Sequence, residues 1–194
     1  MDSEPARPSN SDALNAAMQE YNALRGEITS RHGAQHTLIN LDVTAIGILL
    51  GVVLSNKENL IILLVVPIVA TSFGLLYFDQ AGSIERIGVY IRHVLQPAIA
   101  RLTGDTATLA WEDFAARTFR ASKLSVVGFA VPVFIIFIGT PIAATIVLLP
   151  AITQAWQWLF WVLGVVFEAM VVGVWYSFFS GRSLRANQRA ARGS

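Results

Sequence analysis

The feature that most constrains this chain is a set of four long apolar runs, at 37–55, 60–78, 124–150 and 155–179. Each approaches or exceeds the roughly 20 mostly apolar residues with which a helix crosses a bilayer. A soluble helix of this length keeps a polar face, and these runs have none. Hydrocarbon offers no water to backbone N–H and C=O groups, so such a run crosses as a helix that satisfies its own backbone. Hydrophobic residues make up 54% of the chain and charged ones 14%, with a mean hydropathy of +0.55. The sequence predicts an all-α membrane protein with four transmembrane helices. Asn40 and Asp42 interrupt the start of the first run, and Pro132 and Pro141 predict a kink or tilt in the third. Trp156, Trp158 and Trp161 open the fourth run, and Trp175 and Tyr176 close it. Amphipathic rings favour those positions in the membrane interface.

Basic residues set the expected orientation. Apart from Lys57 they fall before the first run (Arg7, Arg25, Arg31), between the second and third, and after the fourth. The middle group is Arg86, Arg92, Arg101, Arg117, Arg120 and Lys123, and the last is Arg182, Arg185, Arg189 and Arg192. Arginine and lysine stay on the cytoplasmic side, which places both termini and the long central connection there. The expected organisation is a cytoplasmic amphipathic helix over 1–36, transmembrane helices 1 and 2 over 37–78, and a cytoplasmic amphipathic helical connection over 79–123. Transmembrane helices 3 and 4 follow over 124–179, then a basic cytoplasmic tail over 180–194, attracted to anionic lipid by about 1 kcal/mol per arginine. The polar, acidic N-terminus has no basic segment followed by an apolar one, so it does not read as a signal peptide.

The extramembrane parts carry helical periodicity. Leu14, Met18, Tyr21, Leu24 and Ile28 recur at steps of three and four, with Ser11 or Asp12 as the expected N-cap. That helix runs towards span one, although Gly26 and Gly33 weaken it. Ile84, Ile87, Ile91, Leu95 and Leu102 form a similar stripe that Pro97 is expected to bend. A shorter piece over 107–123 leads into span three. Together these predict a small cytoplasmic helical layer.

Within the spans, Glu168 stands out as an ionisable group in the run WVLGVVFEAMVVGVW. A carboxylate at mid-membrane costs at least ~2.5 kcal/mol on insertion scales, so it faces a bundle interior or a watery path. Its two readings are a permeation or proton role and a hydrogen bond to a neighbouring helix. Gly164 and Val172 share its helical face, and the close-approach glycine marks that face as meeting protein. Asn40, Thr44, Gly47, Gly51 and Ser55 make one narrow stripe on span one, with Gly47 and Gly51 forming a GxxxG. That stripe reads as helix packing or as pore lining. Asp42 points elsewhere, towards headgroup water, and a rise of about 1.5 Å per residue separates it from Glu168 by roughly 10 Å in depth.

On the cytoplasmic side Arg86, Tyr90 and His93 share a face, with Arg92 on another and Arg25 and Arg31 on the first helix. Arginines from two helices can clamp a phosphate, or they can simply be the solvated arginines of a cytoplasmic face. The chain has no cysteine, and His32, His36 and His93 make no metal pattern. No HExxH, P-loop or GxSxG spacing is present, so no enzyme, cofactor or metal is expected.

Three segments carry a resemblance. The stretches YNALRGEITSRHGAQHTLIN, SIERIGVYIRHVLQPAIARL and LAWEDF are similar to those of a broad group of four-span bacterial membrane proteins. The matching positions are Leu24, Arg25, Glu27, Ile28 and Arg31, then Ile87, Tyr90, Ile91, Arg92 and Leu95, then Trp111 and Glu112. Members of this design resemble the Hailong-type effectors of bacterial anti-phage defence. The resemblance implies an inner-membrane homo-oligomer, a tetramer, whose cytoplasmic layer binds a nucleotide or oligonucleotide made by a nucleotidyltransferase partner and thereby gates an ion channel. It covers roughly residues 20–115 and gives Glu168 no role. The alternatives are a scaffold or sensor that recruits a cytoplasmic partner, and a small proton-coupled exporter using Glu168.

Overall fold

The computed structural model describes residues 9–105, 109, 114 and 123–180. The helices are α1 (Asn10–Ser55), α2 (Val65–Tyr90), α3 (Gln96–Thr103), α4 (Lys123–Phe134), α5 (Thr140–Leu148) and α6 (Ala155–Phe179). Among the described residues, four helical stretches are long and apolar enough to cross a membrane: Asn10–Ser55, Asn59–Thr103, Ala130–Ala151 and Ala155–Phe179. The chain is a helical membrane protein. The piece expected over 107–123, with Trp111 and Glu112, lies almost wholly outside the described residues, as does the basic tail.

The first helix starts at Asn10 because Ser9 caps it. Ser9 Oγ accepts from the Asp12 N–H at 3.2 Å, while the Asp12 carboxylate accepts from the Ser9 N–H at 3.3 Å. This reciprocal pair satisfies two otherwise orphaned groups and moves the cap from Ser11 or Asp12 back to Ser9. From there α1 runs 46 residues without a break, through Gly26 and Gly33. At about 1.5 Å per residue it is ~70 Å long, more than twice the hydrocarbon thickness. Tertiary pairing, which outweighs the glycine penalty, holds the extended half together.

The partner in that pairing is α2, which returns antiparallel to α1. Tyr90 donates from its hydroxyl to Glu20 Oε1 at 2.7 Å, and Arg31 donates to Gln80 Oε1 at 2.9 Å. Arg31 also bonds Glu27 one turn below it at 2.7 Å. The inner face of α1 repeats every seven residues through Leu14, Tyr21, Ile28, Gln35, Asp42 and Leu49, each buried or half-buried. A seven-residue repeat keeps one seam of a long helix on its neighbour.

Helix α2 is the hub, contacting α1, α5 and α6. Its contact with α6 is parallel and close because small or flat residues meet at two levels. A Cβ built on Gly164 falls 3.0 Å from Pro67 Cβ, and one built on Gly74 falls 3.0 Å from both Phe137 Cβ and Val171 Cγ2. The outward faces of α1 and α6 carry exposed Leu, Val, Phe and Trp side chains, as lipid contact requires.

Both long helical stretches with a proline in mid-course relax into a π-turn. Ile91–Leu95 precedes Pro97, and Ile135–Gly139 precedes Pro141. In each, the residue before the proline donates back five positions, Gln96 to the Ile91 carbonyl and Thr140 to the Ile135 carbonyl. The wider turn gives the proline ring room at a carbonyl it would otherwise strike. The bends expected at Pro97 and Pro141 therefore take this form, whereas Pro132 sits within α4.

The close packing at Gly74 gives a stability test. Gly74→Val forces its added carbons into Phe137 and Val171 and lowers stability in detergent by ~1–3 kcal/mol. Gly88→Ala, whose methyl group meets nothing within 4 Å, leaves the melting temperature unreduced. Thermal unfolding of the two purified variants checks both.

Candidate functional site

Two apolar clusters fill the bundle, one above the other. The first gathers Ile46 and Val53 of α1, Val66 and Ala70 of α2, and Ala144 and Leu148 of α5. The second gathers Tyr77 and Phe78 of α2, Phe137 and Ile138 of the π-turn, and Val171 of α6, with Leu38, Ile39 and Phe73 against it. On each helix the chain passes from one cluster to the other through a polar residue or beside one. These residues are Asp42 on α1, Thr71 on α2, Thr145 on α5 and Glu168 on α6, all buried. The bundle thus has a polar layer between two greasy ones.

Thr145 joins α5 to α6 within this layer. Helix α5 ends at Leu148, and the Leu149 N–H turns to the Ile146 carbonyl, three residues back. The Thr145 carbonyl, the usual partner four residues back, accepts instead from the Trp161 indole N–H at 3.0 Å. The Thr145 hydroxyl donates to Glu168 Oε1 at 2.5 Å. Trp161 is therefore half-buried and bonded inward, while Trp156 and Trp158 beside it are exposed. Trp175 likewise turns inward, stacking on Phe134 and Phe179.

Glu168 lies between the two close approaches of α6 to α2, one turn from Gly164 and close to Val171, and is 8% exposed. Val172, expected to share its face, is 38% exposed, so Val171 fills that place. Glu168 thus meets protein, as the nearby glycine implied, and its hydrogen bond is to a neighbouring helix.

Asp42 departs further from expectation. It is fully buried, with 0% exposure, and neither carboxylate oxygen has a hydrogen-bond partner. On α1 it falls between Ile39 of the lower cluster and Ile46 of the upper one, while Glu168 faces the α2 segment between Pro67 and Gly74. Both carboxyls consequently lie between the two clusters. The reason is that α1 enters the bundle along one unbroken seam, which carries Asp42 inward instead of leaving it at headgroup level. They form no bond to each other.

The remaining intramembrane candidates lie outside the bundle. Asn40, Thr44, Gly47, Gly51 and Ser55 are all exposed, and a Cβ built on Gly47 or Gly51 meets nothing within 4 Å. The stripe continues below the span: Gly26, Gly33, Asn40 and Gly47 recur every seven residues, with Thr37, Thr44 and Gly51 on the same side.

In the helical extension, the candidate anion residues have structural bonds. Arg31 holds Glu27 and Gln80, Arg86 donates to Ser83 Oγ at 2.8 Å, and Tyr90 holds Glu20. The hydrogen bond to Glu20 and its nearby negative charge push the Tyr90 hydroxyl above its ordinary pKa. Arg25 and Arg92 are also engaged, and His93 has a buried Nε2 without a partner. Among the described residues no cluster of metal-ligating side chains occurs.

No protein-family model matches this chain, and no similar curated protein or solved structure was found.

Removing one partner from the Thr145–Glu168 bond should cost more than removing both. Thr145→Val leaves a buried carboxyl oxygen without its donor, destabilising by ~1–3 kcal/mol. The double variant Thr145→Val/Glu168→Leu recovers part of that loss. A double-mutant cycle on melting stability measures this coupling, expected at ~0.5–3 kcal/mol.

Proposed function

We propose that the chain assembles into a homo-oligomeric ion pore in a bacterial inner membrane, lined by the outer face of α1. Its termini and helical extension lie in the cytoplasm, where an anionic nucleotide or oligonucleotide gates it. In this reading it is a membrane effector of anti-phage defence. A tetramer is the expected assembly, and a nucleotidyltransferase partner supplies the signal.

The observation that carries the reading is the exposed stripe on α1. Lipid tails give Asn40 and Thr44 nothing to bond, whereas helices that approach through glycine and small hydroxyl residues can bond across the contact. Seven-residue spacing along Gly26, Gly33, Asn40 and Gly47 suits a partner helix followed over many turns. Around a symmetric axis the same face presents an amide and hydroxyls to ions, a lining that supports conduction. Because α1 continues into the extension, a change at Arg25 or Arg31, or at Arg86 and Arg92 on the stretch packed against it, is transmitted along that helix. Asp42 and Glu168 both face inward, and the bond of Glu168 to Thr145 contributes to holding the protomer together. The inward position of Glu168 also favours the alternative of a scaffold or sensor that recruits a cytoplasmic partner, over an exporter built on that residue.

The cysteine-free sequence makes the test simple. Asn40→Cys and Thr44→Cys should cross-link between copies in membranes, and a hydrophilic thiol reagent should block ion flux in liposomes. Val162→Cys, on the exposed face of α6, should do neither. Cross-linking with no nucleotide-dependent flux would favour the scaffold. Arg86→Ala should weaken nucleotide binding by about tenfold or more, the worth of one hydrogen bond to a charged group.

A further inference from the structure

Asp42 is the one carboxyl of the polar layer that the protein leaves unsatisfied. Glu168 has the Thr145 hydroxyl. The Thr71 hydroxyl donates to the Pro67 carbonyl at 2.5 Å. Neither Asp42 oxygen has a donor, and the residue is wholly enclosed. Asp42 occupies a seam position on α1 that Ile28 and Leu49 fill with apolar side chains, so the fold itself needs no carboxyl there.

The elements packed around it bring no compensating charge. On α2, Tyr77 is buried in the adjoining layer and Asp79 is exposed beyond it. The third span has no titratable residue between 124 and 151. Glu168 of α6 is a second acid, and on α1 itself His36 is exposed while Arg31 is held by Glu27 and Gln80. Water can satisfy hydrogen bonds in such a place but not a charge, and an uncompensated ion in a low-dielectric interior is costly.

We propose that Asp42 is an intramembrane monocation site, holding a proton or a sodium-sized cation inside each protomer between α1 and α2. The Thr71 hydroxyl oxygen, buried in the same layer on α2, gives a metal cation a further oxygen partner at that depth. The cation secures the pore-lining helix to the hub helix, and the site stands whether or not the assembly conducts.

A ligand bound only by the folded protein raises stability with its concentration. The full-length protein, purified in detergent, is melted while sodium replaces choline at constant ionic strength, and separately while pH is stepped through neutrality. Near saturation each tenfold change in the bound cation should move the melting temperature by about 3–5 °C. Dependence on sodium identifies the metal cation. Stability that falls as pH rises identifies the proton, because its concentration falls with it. Asp42→Asn should flatten whichever dependence is seen, and Glu168→Gln should retain it. A wild-type protein indifferent to both cations overturns the proposal without any variant, as does a dependence that survives in Asp42→Asn or is lost only in Glu168→Gln. Should Asp42→Asn fail to fold, Asp42→Glu, which keeps the carboxyl, must keep the dependence.

Discussion

The rest of the structure depends on enclosing polar groups where there is no water. Four helices each bring a polar residue to one depth, and the bundle closes around them. Thr71 turns its hydroxyl to its own helix, while Thr145 and Glu168 bond to each other. Those choices explain the packing above and below. Gly164 and Gly74 let α6 approach α2 closely on either side of Glu168, which shuts out lipid and keeps the carboxyl from an unbonded state. The apolar clusters then adapt to a geometry that the polar groups impose.

The long α1–α2 pair follows from a different balance. Exposed ion pairs such as Arg31 with Glu27 contribute little by themselves, at most ~0.5 kcal/mol for a pair one turn apart. What keeps 46 residues helical is a seam that follows the second helical stretch, Asn59–Thr103, with Arg31–Gln80 and Glu20–Tyr90 fixing its register. The helix that carries the exposed stripe is thus also one of the two that make the long extension. A rigid rod of this kind couples events at its two ends without any intermediate domain.

Much of this architecture was legible in the residues. The four spans follow from hydropathy, and the stripe from Leu14 to Ile28 predicted the inner face of α1. The error over Asp42 came from stopping that stripe too early. Continued in sevens, it passes through Gln35 to Asp42 and places the carboxyl inside. Glu168 was assigned correctly to a protein-facing side because Gly164 marks close approach, but its partner Thr145 could not be found from spacing. Threonine is unremarkable in a span, and only the turn of the Leu149 N–H away from the Thr145 carbonyl draws that residue into two contacts with α6. The cap at Ser9 was missed by two residues because Ser11 and Asp12 offer the same chemistry nearby. Trp161, read with its neighbours as an interface residue, also bonds inward, which its place in the run of tryptophans does not reveal. It stacks on Trp158, three residues earlier, while its indole N–H reaches the Thr145 carbonyl.

The π-turns at Ile91–Leu95 and Ile135–Gly139 have a consequence for how these helices carry their faces. A π-turn holds an additional residue, so the helix beyond it is rotated relative to the helix before it. A stripe that faces the core on one side of Pro97 or Pro141 emerges in a new direction on the other. The same chain can therefore lie against α1 below and turn towards other neighbours above, without a loop to change its course. Each π-turn also acts as a place where one residue can be gained or lost in descent. The shift in phase is absorbed there, and the packed faces on either side keep their own register.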